Sequence, residues 1–367
     1  MATLTVTPPD ARFRPDAVGS LGLARVAPLA GSCAHIDPMG LVWSQVPDTP
    51  ALDWADRDVF AQPPTAPLVT EVSLRRGDVV LAAQTLTQRL AAAGVTRHEV
   101  REDGLVGTLY LPAGAGPHPA VMVLNGSGGG INERRAALYA SHGYATLALG
   151  YFKAPRLSAY ISNTRLEYFE AVVAYEPGAV VHSAQNACDP ALGREGPAWL
   201  WRGQPLPHLW QGNRCASWAP WDEGPEPRRH ANALLTALRD ADAVARARIP
   251  VEKIRGPVLL LSGSDDGAWP SSLYGRMVAD KLAAVGHPYP VEHLDFDGAG
   301  HSIVFPYVPT TQLAYVHPVS GLRSTSGGAP APNAQADEAS WNAVKRFLQQ
   351  AVAHRVAERS GTAGSSG

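Results

Sequence analysis

The sequence predicts an α/β chain, with a mainly parallel sheet covered by helices and a small β-rich region before it. Three observations predict this. From Pro119 onward, short apolar runs alternate with amphipathic ones, as strands alternate with helices in a parallel sheet. Loops rich in glycine or acid follow the apolar runs: "NGSGGG" (Asn125–Gly130), "SGSDDG" (Ser262–Gly267) and "DGAGHS" (Asp297–Ser302). The first 75 residues instead carry short strand-like runs between Pro, Asp and Gly.

Along the chain, "TLTVTP", "GLVWSQV" and "PLVTEVSL" read as strands of that first region. "RHEVREDGLVGTLYLP" reads as a hairpin turning at Asp103-Gly104. "AVMVL" is a buried strand, "INERRAALYASHG" a helix closed by Gly143, and "YATLALGYF" the next strand. Asn163–Glu170 reads as a helix and Val172–Tyr175 as a strand, yet no Gly, Pro, Asn or Asp separates them. "PVLLLSG", "SLYGRMVADKLAAVG" and "YPVEHLDF" give a further strand, helix and strand. "RSTSGGAPAPNAQAD" reads as a low-complexity loop. The last helix, from Asp337, places Trp341, Val344, Phe347, Leu348 and Val352 on one face. This divides the chain into a short β-sandwich-like region (1–75), an α/β domain (76–355) and a flexible tail (356–367).

Composition narrows the function. With 45% hydrophobic residues among 367, the chain can bury a large core. Its formal charge is -2 and its basic residues do not cluster, which argues against a nucleic-acid partner. Cys33, Cys188 and Cys215 are too far apart for a disulfide framework or a CxxC metal pair, so a reducing compartment, the cytoplasm, is expected. No apolar run reaches the ~20 residues of a membrane span. No cofactor is expected, and the oligomeric state is left open.

Ligands of open α/β sheets gather where strands end at their C-terminal edge. There the glycine loop suits an oxyanion hole, with Gly126, Ser127 and Gly128 as its donors. No Lys-Ser/Thr pair follows it, as a phosphate loop requires. Asp265 and Asp266 follow an apolar strand, and His301 follows the next one. An acidic loop, a helix, a strand and a Gly-His loop is the Asp…His order of an α/β-hydrolase triad.

With these motifs, "DPMGLVWS", "NGSGGGINERRAALYASHGYATLALGYF", "LEYFEA", "AVVAYEPGAVVHS", "IPVEKIRGPVLLLSGSDDGAWPSS", "GAGHSI" and "SWNAVKRFL" resemble the acyl-CoA thioesterase and bile acid-CoA:amino acid N-acyltransferase family. The resemblance spans most of residues 37–350. It implies an α/β-hydrolase fold with an N-terminal β-sandwich, here short and incomplete. It also implies acyl-CoA as substrate, hydrolysis to free acid and CoA, Asp266 as the triad acid and His301 as the base. Amino acid N-acylation and a dienelactone-hydrolase-like esterase are alternatives. A catalytically impaired member that binds acyl-CoA or a partner is another.

One departure stands out. The family carries a strand, a Gly-x-Ser/Cys-x-Gly nucleophile elbow and a helix between "LEYFEA" and "VVAY". This chain has no Gly-x-Ser-x-Gly or Gly-x-Cys-x-Gly anywhere, and Phe169–Val172 leaves no room for such a unit. The nucleophile is therefore unassigned. Ser127 is a weak candidate, because a donor in an oxyanion hole is badly aimed at the same carbon. Ser183, Cys188 and Cys215 are weaker still, and Cys33, His35 and Asp37 form a chance arrangement rather than a metal site.

Overall fold

The structure is a computed structural model that describes residues 3–7, 13–14, 31–33, 35–47, 52–53, 63–102, 105–126, 128–165, 174–317 and 320–363. Ser127, the Asp103-Gly104 turn and the junction at Phe169–Val172 lie outside the described residues.

Strand β1 (Thr3–Thr7) pairs antiparallel with β2 (Leu68–Arg76), and β2 with β3 (Val79–Gln88). Only two residues join β2 to β3, and Gly77 (φ 57) supplies the left-handed backbone that such a tight hairpin needs. The run "GLVWSQV" is not one strand. Gly40–Trp43 is a helical turn, and a strand follows only at Val46–Pro47. Asp37 explains it: Oδ1 accepts the Met39 N–H at 2.8 Å and Oδ2 accepts the Trp43 indole N–H at 2.7 Å. A side chain that bonds a backbone N–H at the start of a turn and a side chain at its end outcompetes the strand preference of an apolar run.

Strands β4 (Thr96–Val100), β5 (Gly107–Leu111), β6 (Ala120–Leu124) and β7 (Ala145–Leu149) form one sheet in the order β4-β5-β7-β6. β6 and β7 are parallel and are joined through helix α1 (Glu133–Ser141), whose N-terminal cap is Asn132. A second sheet holds β8 (Ala174–Tyr175), β9 (Val258–Gly263) and β10 (Val291–Phe296), all parallel. Every residue of β9 is buried, as a strand flanked on both edges and covered on both faces must be. Between β8 and β9 run helices α2 (Ala231–Ala237) and α3 (Ala241–Ala247).

The two sheets share one apolar layer. Val121 and Val123 of β6, Leu259 and Leu261 of β9, and Leu294 and Phe296 of β10 pack with Trp341, Val344, Phe347, Leu348 and Val352. Helix α4 (Ser271–Ala284) follows β9 and contacts both β9 and β10. The last helix, α5 (Pro330–Ala363), starts seven residues before Asp337, inside the stretch read as a low-complexity loop. Pro330 and Pro332 sit in its first turn, where a missing N–H costs nothing. The start of that stretch is ordered too, as the strand Arg323–Thr325.

Two further differences concern the middle of the chain. Thr164–Arg165 is strand, paired parallel with Trp199–Leu200, where a helix is expected from Asn163. The Thr164 N–H bonds the Ala198 carbonyl at 2.8 Å, so a partner remote in sequence sets its conformation. Among the described residues, β6 pairs only with β7 and β8 only with β9. β6 is not the fully buried strand expected of "AVMVL": Val123 is buried in the shared apolar layer, but the opposite face is exposed, with Met122 at 42% and Leu124 at 37%.

Candidate functional site

Asp266 and His301 come from loops that follow adjacent parallel strands, β9 and β10. His301 Nδ1 lies 2.9 Å from Asp266 Oδ2. Asp266 is fixed from every side. Its Oδ1 accepts the N–H groups of Ala268 (2.9 Å) and Trp269 (2.8 Å), and its Oδ2 also accepts the Ser271 hydroxyl at 2.7 Å. The Asp266 side chain is 2% exposed and that of His301 30%. Donation of Nδ1–H to the carboxylate leaves Nε2 as the basic nitrogen of the neutral ring. An acid thus holds the tautomer of a solvent-reachable imidazole, which can take a proton from a nucleophile and return it to a leaving group.

The backbone holds both loops on one atom. The N–H groups of Gly267 and His301 each bond the carbonyl oxygen of Ser326 at 2.9 Å. Gly300 N–H bonds Asn333 Oδ1 at 2.8 Å, and Gly328 N–H bonds the Asp265 carbonyl at 3.1 Å. A Cβ on Gly300 would run into the carbonyl of Gly327, so the approach is closed to other residues. Arg229 clamps the acidic loop from outside, bonding Asp265 Oδ1 at 2.8 Å and the carbonyls of Asp265 and Asp266.

The glycine loop follows β6. Gly126 N–H bonds Asn125 Oδ1 at 3.2 Å, Gly129 N–H the Gly126 carbonyl at 3.0 Å, and Gly130 N–H the Phe152 carbonyl at 2.8 Å. Gly129 and Gly130 have φ of 67 and 78, and a Cβ on Gly129 would press on Lys153 and Phe152. Helix α1 begins just after this loop, and its Arg135 reaches the histidine loop, donating to the carbonyls of Ile303 (3.2 Å) and Val304 (3.0 Å).

Each of the other described nucleophile candidates has surroundings of its own. Cys188 is buried with Ala184 and Ala198, and burial pushes its thiol pKa up. Ser183 is buried and bridged to Pro197, while Cys215 is exposed. Cys33, His35 and Asp37 make local contacts: the Cys33 thiol donates to the His35 carbonyl, and Asp37 caps the turn described above. Among the described residues no group of His, Cys, Asp and Glu is placed to hold a metal. Ser262, His293 and Asp295 also meet, but the Ser262 hydroxyl donates to Asp295 Oδ1 at 2.7 Å, and the serine is fully buried. A proton already given to a carboxylate makes this a structural cluster.

Sequence reasoning missed two carboxyl groups beneath the histidine loop, one half-buried and one fully buried. Glu176, just past β8, accepts the Ile303 N–H at 3.1 Å. Asp337 of α5 accepts the Val304 N–H at 2.6 Å. Burial pushes the Glu176 carboxyl up to about 7; His301 and Arg135 pull it down and Asp266 pushes it further up. Burial raises Asp337 well above the usual carboxylate range. A glutamate ending the apolar run "VVAY" was the available signal, since a charge there is costly without a role.

An acid–histidine pair at the C-terminal ends of parallel strands can serve general-base and nucleophilic hydrolysis. Comparison with known proteins agrees in class. Residues 9–102 match the model of the acyl-CoA thioester hydrolase/BAAT N-terminal region, and residues 228–354 that of the BAAT/acyl-CoA thioester hydrolase C-terminal region. The chain is 32% identical to mouse acyl-coenzyme A thioesterase 6, over 93% of this chain and 85% of that protein. It is 31% identical to mouse peroxisomal succinyl-coenzyme A thioesterase (92% and 85% covered) and to rat mitochondrial acyl-coenzyme A thioesterase 2 (93% and 79%). The chain belongs to the acyl-CoA thioester hydrolase/BAAT family.

Proposed function

We propose that this chain is an α/β-hydrolase-type enzyme that cleaves acyl-CoA thioesters to free acid and CoA. The observation that carries the reading is the 2.9 Å contact between His301 Nδ1 and the buried Asp266 carboxyl, in a chain of this family. His301 Nε2 takes the proton of the attacking O–H or S–H as that atom bonds the thioester carbon. The C–S bond then breaks, and the proton passes to the sulfur of the departing CoA. Where the attacker is a side chain, water releases the acid in a second round of the same proton transfers. Asp266 keeps the tautomer throughout, and backbone donors at Ser127 and Gly128 stabilise the oxyanion, the Gly126 N–H being already bonded to Asn125 Oδ1. We assign the N-terminal β-rich region, residues 1–75, to an incomplete sandwich beside this domain. We place the protein in the cytoplasm, a compartment that suits three free thiols; no described helix is long and apolar enough to cross a membrane.

A second reading, a member that binds acyl-CoA with little turnover, is favoured by one observation. The sequence has no Gly-x-Ser-x-Gly or Gly-x-Cys-x-Gly elbow. Thiol release from a long-chain acyl-CoA separates the two. Turnover that His301→Ala abolishes supports the first reading. Saturable acyl-CoA binding without thiol release supports the second. Labelling with a fluorophosphonate and a thiol alkylator, followed by mapping, identifies any side-chain nucleophile.

A further inference from the structure

Beneath the Asp266–His301 pair lies a carboxyl that the proposed chemistry does not use. Glu176 follows β8, and its own N–H bonds the Leu261 carbonyl of β9 at 2.9 Å, which ties it to the strand that carries Asp266. Its Oε1 accepts the N–H of Ile303, two residues past His301, at 3.1 Å. Its backbone is held at φ 41, a left-handed conformation that costs a non-glycine residue free energy and persists where the surroundings enforce it. The half-buried side chain shares its field with His301, Asp266 and Arg135, and the fully buried Asp337 of α5 senses it in turn. Tyr175 and Tyr139 complete the wall: the Arg135 guanidinium lies 3.8 Å over the Tyr175 ring, and the two tyrosine hydroxyls are 3.5 Å apart.

We propose that Glu176 is a positioning residue for His301: it anchors the histidine loop through Ile303, and its charge sets the proton affinity of the imidazole. The proposal rests on reading His301 as the base, and it concerns how that base is tuned. The hydrogen bond fixes the loop in either protonation state, because a carbonyl oxygen accepts as a carboxylate oxygen does. The charge acts separately. An anion near the imidazole favours imidazolium, and a neutral carboxyl does not. Because burial raises Glu176 to about 7, its charge changes in the pH range where an imidazole titrates, and the two protons are coupled.

The test follows His301 by NMR in histidine-labelled protein, so it needs no turnover and stays distinct from the activity assay above. In the unaltered chain, the His301 ring signals should titrate with two inflections, one from its own proton and one from Glu176. In Glu176→Gln the second inflection should vanish and the apparent His301 pKa should fall by about 1 unit, the low end of what a nearby charge does. The Ile303 amide should stay protected from exchange in Glu176→Gln and lose protection in Glu176→Ala, a split that bulk destabilisation would not produce. A single-site His301 curve in the unaltered chain would overturn the proposal, even if neither variant folds. So would a curve unchanged in folded Glu176→Gln.

Discussion

The backbone N–H of His301 bonds the carbonyl oxygen of Ser326 at 2.9 Å, and the same oxygen takes the N–H of Gly267. One carbonyl therefore sets the spacing of the loops that carry the acid and the base. A side-chain contact between Asp266 and His301 depends on this backbone junction, which lies in a segment whose sequence shows no periodicity.

Gly300→Ala should loosen that junction. A Cβ at this position meets backbone atoms of Gly327 and Ser326, which cannot rotate away as a side chain would. The expected loss of stability is about 1–3 kcal/mol, the usual cost of overpacking. Gly256→Ala, where nothing lies within 4 Å, should be near neutral. Denaturant melts of the two variants side by side check this.

Asp266→Asn should leave the fold standing and remove most turnover. The amide keeps an oxygen for the Ala268 and Trp269 N–H groups, but its NH2 then faces Ser271 and His301 where Oδ2 accepted both. An NH2 facing Nδ1 selects the wrong tautomer, and in a serine protease such a change lowers kcat by ~10⁴-fold. Steady-state thiol release, with circular dichroism to verify folding, gives the comparison.

Stability should fall as pH drops from about 6.5 to 5. Burial lowers His182 to about 3, His230 to about 4 and His317 to about 3, so the unfolded chain binds protons there that the folded chain refuses. Burial shifts His208 and His293 the same way. Glu176, raised to about 7, and Asp337, also raised, act oppositely, because the folded chain keeps their protons after the unfolded chain has lost them. Three histidines against two carboxyls leave a net slope near ~1.4 kcal/mol per pH unit, and the other two histidines steepen it. Unfolding midpoints at pH 7 and 5 measure the sign; an unchanged or higher midpoint at pH 5 would count against it.

Met122→Lys should reduce self-association without lowering the melting temperature. β6 is apolar, its outer edge has no partner among the described residues, and Met122 is 42% exposed. Open apolar edges pair with other chains, and a lysine on the edge discourages it. Light scattering against concentration, for both proteins, reads the effect.

Part of this protein was legible in its sequence. The fully apolar "VLLL" of β9, the stripe from Trp341 to Val352 and the loops holding Asp266 and His301 follow from periodicity and from where strands end, which are local properties. The α/β class followed from them. Other features depended on partners far away in the chain. "GLVWSQV" turned because Asp37 holds the Met39 N–H just before it and the Trp43 indole N–H, and Thr164 became strand because it met Ala198.

The site itself was divided in the same way. The sequence by itself placed Asp265, Asp266 and His301 in loops after successive strands, because their order along the chain is written in it, and the family resemblance singled out Asp266. Only the tertiary structure decided that their side chains meet at 2.9 Å. It also decided that the Ser326 carbonyl anchors both turns, and that Arg135, Glu176 and Asp337 converge beneath His301 from two helices and a strand end. The physical reason is that a buried polar group is stable only where a distant partner completes its hydrogen bonds, and no local pattern in a sequence encodes which partner that will be.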